Sequence, residues 1–122
     1  MAIKAVSLSG SVAASSRGNF LSPPILTRHR PVAILLWVNS AGLGSKYSVF
    51  LTKSETPVEM PQVGDPPVFQ LLDIQAPAAN LVVIPLSVQT IVEPPVRFNL
   101  SYFNYTSSSV TVTATYVYEE VV

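Results

Sequence analysis

The sequence predicts an all-β fold: one antiparallel β-sandwich, jelly-roll or immunoglobulin-like, or a small barrel, of about seven or eight strands. Three observations carry this. Apolar and polar residues alternate with period two through most segments. No stretch places apolar residues at helical spacing over several turns. Eleven prolines, several in pairs, interrupt the alternating runs at intervals suited to short strands and turns. Residues 1–122 then form a single β domain, although the length is short for a jelly roll.

Residues 3–14 alternate well. Val6, Leu8 and Val12 share one face and Ser7, Ser9 and Ser11 the other, with Gly10 in the apolar row at a bulge or a close backbone approach. Residues 15–31 read as a long connection hiding a short strand at Ile25 and Leu26. Val32–Val38, all apolar, reads as a strand buried on both faces. A turn at 39–44 would join it in a hairpin to the alternating run Tyr47–Thr52. Residues 53–67, with four prolines, read as an irregular surface segment. Residues 68–74 favour strand over helix, although Asp65 followed by Pro66 is a conceivable helix start. Leu81–Val92 is a strand broken or kinked at Pro85, which must lie at an edge or a bulge.

Val96–Asn104 and Val110–Tyr118 alternate most clearly and read as a hairpin turning near Ser107. That register sets Tyr102 opposite Val112, Leu100 opposite Ala114, Phe98 opposite Tyr116 and Val96 opposite Tyr118. Ser101 would meet Thr113, Asn99 would meet Thr115, and Arg97 and Glu119 would share the outer face diagonally. A slip of one residue would set apolar against polar throughout. Three Pro-Pro-aliphatic starts, at Pro23, Pro66 and Pro94, open strands with a fixed extended entry.

Composition narrows the function classes. Seven basic and seven acidic residues balance to zero, so steering toward nucleic acid or anionic lipid is not expected. There is no cysteine for a disulfide or a thiolate metal site. The N-terminus lacks signal-peptide character, which makes the chain cytoplasmic at synthesis. Its longest apolar runs are too short to span a bilayer. Charged residues make up 11% of the chain, against about 25% in ordinary soluble domains. Such a surface is either dressed in Ser and Thr or covered by other chains.

Catalytic signatures do not emerge. His29 lies in Thr27-Arg-His-Arg30 and reads as an exposed loop residue whose pKa two cations lower. It lacks the histidine and cysteine partners of a zinc site, and the seven carboxylates have no diagnostic spacing. No nucleophile elbow or phosphate-binding glycine motif occurs. A non-enzyme with no cofactor is expected. Asn99-Leu-Ser and Asn104-Tyr-Thr match the glycosylation pattern by chance. Arg28 and Arg30, with Arg17 upstream, form one basic cluster that would meet an acidic patch on a partner or nucleic acid, or simply stay solvated.

In style, the Thr-rich, charge-poor strands and the missing catalytic and export signals resemble small all-β virion proteins: capsid decoration (cement) proteins and small coat subunits. That resemblance implies a homo-oligomer, often a trimer, that grips neighbouring capsid subunits in the virion. The face candidates are Thr111, Thr113, Thr115 and Val117, with Phe103 and Tyr105 as anchors on the same face. A binding module that takes a glycan or peptide through loops 15–31 and 53–67 is the alternative. Trp37, in a strand that reads as buried, argues against sugar stacking.

Overall fold

The computed structural model describes residues 2–40, 44–57, 67–75, 81–86 and 89–121. Among them are eight strands and no helix: β1 Ile3–Val12, β2 Arg17–Leu21, β3 His29–Val38, β4 Lys46–Thr52, β5 Pro67–Gln75, β6 Val82–Pro85, β7 Arg97–Phe103 and β8 Val110–Glu120. They build two four-stranded antiparallel sheets, a first sheet in the order β1-β8-β3-β6 and a second in the order β2-β7-β4-β5. The pairing is nested: β1 with β8, β2 with β7, β3 with β6 and β4 with β5. The chain is one long hairpin bent between β4 and β5. It is rolled up so that β3 also meets β8 and β4 also meets β7. This winding is a jelly roll.

Both hairpins expected between sequence neighbours are therefore corrected. β3 and β4 lie in different sheets, as do β7 and β8. The even rows of β7 and β8 are nonetheless both buried, because each faces the core from its own side. Phe98 and Tyr116 do meet, with ring centroids 5.4 Å apart, by stacking across the sandwich and not across a ladder. Parity agreed because two inward rows share one core, which is the signal that a hairpin also gives. Arg97 and Glu119 are likewise in separate sheets. Arg97 donates to the Ser22 carbonyl, while Glu119 pairs with Arg30 at 3.3 Å.

β3 departs from its expected burial on both faces. Ile34, Leu36 and Val38 are fully buried, whereas Ala33, Leu35 and Trp37 are half-buried on the outside. Against β8 the register runs Pro31 to Tyr118 and then Ala33 to Val117, so Val32 is an extra residue. That bulge switches the inward row from odd to even numbers. In a run made wholly of apolar residues, sequence alternation cannot reveal such a switch.

Residues 15–31 are also less loop-like than expected. β2 occupies part of them, and Ile25 makes an isolated bridge to Val96, so two of the three Pro-Pro-aliphatic segments pair with each other. Residues 67–75 are strand, as the sequence favoured. Leu81–Val92 shortens to the four-residue edge strand β6, ending at Pro85, with Val92 bridged to His29. Of the irregular segment 53–67, residues 58–66 lie outside the described residues.

Tyr47, Val49, Leu51, Phe98, Leu100 and Tyr102 fill the core from the second sheet; Val12, Ile34, Leu36, Val112, Ala114 and Tyr116 fill it from the first. Asn104 fastens the β1–β2 turn to the β7–β8 connection. Its amide donates to the carbonyls of Val12, Ala13 and Ser108, and its oxygen accepts from the Thr106 amide and hydroxyl. Asn99 and Asn104 are fully buried, which keeps a glycan from either.

Two stability measurements check this packing. Phe98→Ala should cost roughly 3–5 kcal/mol by chemical denaturation, while Thr113→Ala should cost under about 0.5. At Gly10 an added Cβ would run into the Phe20 ring, so Gly10→Ala should cost about 1–3 kcal/mol, and Phe20→Leu in the same chain should restore part of it.

Candidate functional site

The outward face of the first sheet follows from the ladders. Residues directly opposite in antiparallel strands point the same way, so the odd positions of β8 collect neighbours from both sides. Thr111 lies beside Ser11. Thr113 lies between Ser9 and Trp37, Thr115 between Ser7 and Leu35, and Val117 between Ala5 and Ala33. β6 extends two of these rows, with Val83 beside Leu35 and Pro85 beside Ala33. No charged residue stands in any of these rows. The first charges come in the next row, where Arg30 faces Glu119 and bonds to it.

This face has two halves. Across β1 and β8 it is hydroxyl-bearing: Ser7 bonds Thr115 at 2.7 Å and Ser9 bonds Thr113 at 3.0 Å. These four hydroxyls thus have partners within the sheet and give up little on losing water. Across β3 and β6 it is apolar, with Trp37, Leu35, Ala33 and Pro85, and with Val83 58% exposed. The Trp37 backbone is fixed from behind, since the Tyr47 hydroxyl donates to its carbonyl. The outward positions of the second sheet differ: Phe50, Asn99 and Ser101 there are fully buried by the chain itself.

Thr111, Thr113, Thr115 and Val117 thus stand together on one open face. Phe103 and Tyr105 do not join them. They belong to β7 and the segment after it, in the second sheet, with rings 4.5 Å apart and Arg17 5.2 Å over Phe103. The expectation that Phe103 shares the Thr-rich face is corrected: β7 crosses to the other layer. Arg28 is exposed and pairs with Glu93 at 3.0 Å. Arg30 closes the charged end of the outer face. Trp37, Leu35 and Val83 are the face residues that sequence reasoning missed, Trp37 because the Val32 bulge hid its orientation.

Arg28 and Arg30 flank a histidine that is not exposed. His29 is fully buried, because the odd positions of β3 before the bulge point inward. Its Nδ1 lies 3.1 Å from the Thr27 carbonyl, a pure acceptor, so Nδ1 carries the proton. Nε2 then accepts from the Tyr116 hydroxyl at 2.8 Å, and the Tyr118 ring packs 4.6 Å away. Burial lowers the His29 pKa, against a smaller upward pull from the Thr27 carbonyl. The flanking arginines are not the cause. Burial also raises Tyr116, which stays a protonated donor.

The lowered pKa has a definite sign. Below the unfolded value near 6.5 the unfolded chain binds a proton that the folded chain resists, so stability is full above that pH and declines as pH falls through it. Urea unfolding at pH 7.5 and 5.5 should show the loss, and His29→Phe should flatten it. The same substitution should cost about 1–3 kcal/mol at pH 7.5 by orphaning the Tyr116 hydroxyl.

No protein-family model and no curated protein matches the sequence. Among solved structures, a carbohydrate-binding module, CBM36, in complex with calcium and xylotriose is similar over 95% of this chain and 99% of its own, with TM-score 0.50 and 10% identity. Two larger structures align over most of this chain but about a third of their own length. They are infectious bursal disease virus Gt strain (98% and 37% covered, TM-score 0.36, 10% identity) and a family two carbohydrate esterase from Cellvibrio japonicus (96% and 36%, TM-score 0.31, 12% identity). At such identities the likeness to the carbohydrate-binding module supports the β-sandwich fold and nothing finer.

Proposed function

We propose that this chain is a non-enzymatic assembly protein, a small coat or decoration subunit of a virion that binds its neighbours through the outer face of the first sheet. The observation that carries this reading is the run of rows from Ser11–Thr111 to Ala5–Val117–Ala33–Pro85 without a charge, on a sheet open to solvent. Burying an unpaired charge costs several kcal/mol, whereas these threonines keep their internal bonds and add methyl groups to a contact. Jelly rolls also host capsid and lectin domains among many others, so the fold permits this role without selecting it.

Size bears on how the face is used. Four strands about 4.8 Å apart, over some 20 Å of strand, give a face of roughly 400 Å². A standard interface takes about 800 Å² per partner, so a stable assembly needs this face together with another contact. Thr113→Lys should leave the circular dichroism spectrum unchanged and weaken self-association or binding to a capsid preparation at least tenfold. A parent chain that stays monomeric and unbound at high concentration, with the lysine variant indistinguishable from it, defeats the proposal.

A second reading rests on Trp37. A half-exposed indole beside paired hydroxyls is a surface on which a sugar ring can stack, and it removes the objection that the tryptophan is buried. Trp37 is the sole tryptophan, so its fluorescence reports the face directly. Titration with xylo-oligosaccharides should leave the emission unchanged if the face binds protein; a saturable shift, lost in Thr113→Lys, favours the glycan.

A further inference from the structure

Each sheet has two edges, and three of the four are blunted. β6 is four residues long and ends in Pro85. β2 is five residues long, Arg17–Leu21, and opens on an arginine. β5 begins at Pro67, and its register against β4 slips twice. Short length, proline, charge and bulges are the usual devices that stop a sheet edge from pairing with another chain. β1 has none of them apart from Lys4. It runs ten residues in unbroken register with β8 and holds no proline, and Lys4, near one end, pairs with Glu120 at 3.6 Å. Among the described residues β1 has a ladder partner on one side alone.

The direction of its free groups is fixed. The Ala2 carbonyl accepts from the Glu120 amide, while Thr111 exchanges bonds with Asn39 on the opposite side of β8. Even residues of β1 therefore bond to β8, and the odd residues Ile3, Ala5, Ser7, Ser9 and Ser11 aim N–H and C=O away from the sheet. We propose that this edge pairs antiparallel with the same edge of a second copy, about a two-fold axis at Ser7, to make a continuous eight-stranded sheet.

The strand is self-complementary about that point. Ser7 meets Ser7 of the second copy, Ala5 meets Ser9, and Ile3 meets Ser11. Five pairs exchanging two bonds each use every outward group of the odd residues, ten hydrogen bonds in all, about the number in a typical protein interface. The same register sets Val6 beside Leu8 on the inner side, which continues the core across the joint. It sets Lys4 beside Gly10, where no like charge stands. The axis is isologous, so the assembly closes at two copies. The proposal rests on the geometry of the edge and stands whether or not the outer face grips a capsid.

Amide hydrogen exchange on the intact protein tests it, together with mass in solution across a concentration series. The amides of Ser7 and Ser9 should exchange at least tenfold more slowly at high concentration than at low, in step with a shift from monomer to dimer mass. Those of Leu8 and Gly10, already bonded to β8, should be protected throughout. Ser7→Pro removes an outward donor at an edge where proline is tolerated, and should give a folded monomer whose Ser9 amide exchanges fast. If Ser7→Pro fails to fold, exchange in the parent chain still decides. Val83→Lys, on the outer face but at the opposite edge of the sheet from β1, should leave the Ser7 and Ser9 protection intact, which separates failure of the edge from failure of the face. Fast exchange of Ser7 and Ser9 at every concentration, or protection that appears only when a capsid extract is added, overturns the proposal.

Discussion

Everything in this molecule depends on β8. It is flanked by β1 on one side and β3 on the other, so it supplies two of the three ladders of the first sheet. Its inward row, Val112, Ala114 and Tyr116, closes the core against β7, and its outward row, Thr111, Thr113, Thr115 and Val117, forms the spine of the open face. One strand with strict alternation thus serves burial and recognition at once. Its hydroxyl side is tolerable because each central threonine has a serine across the ladder; the same row made of valines would be an exposed apolar stripe prone to indiscriminate pairing.

The sequence was legible where one face is apolar and the other polar. β1, β4, β7 and β8 alternate, and their inward rows are those expected. Gly10, read from the sequence as a bulge or a close backbone approach, sits in unbroken register and lies against the Phe20 side chain instead. Pairing was not legible, because alternation says which residues face inward and is silent about which sheet they belong to. In a nested hairpin most neighbours in sequence are opposite each other across the core, and the partners lie far apart along the chain. Ile3 beside Glu119 is the extreme case. β3 was opaque for a second reason: Val32 adds a residue inside an all-apolar run, and only the register against β8 exposes it.

That bulge links two features that otherwise look unrelated. By exchanging odd for even, it turns His29 into the core and Trp37 out of it. Removing one residue there would set His29 on the surface or Ile34 in water, so burial of the imidazole and display of the indole are two readings of one backbone irregularity. The histidine is consequently a core group that burial keeps neutral, in the tautomer that the Thr27 carbonyl and the Tyr116 hydroxyl fix.

The nested pairing also orders events in time. β1 is made first and waits for β8, the last strand in chain order, and β3 meets the same delay. The first sheet therefore has no centre until β8 has emerged from the ribosome, while the bend between β4 and β5 can close much earlier. During that interval β1 is a bare strand on both sides. Its serines keep it hydrated, and its sequence tolerates the wait better than the apolar β3 does. The nascent chain is thus most exposed to misassociation through β3, whose two edges stay open until first β6 and then β8 have been translated.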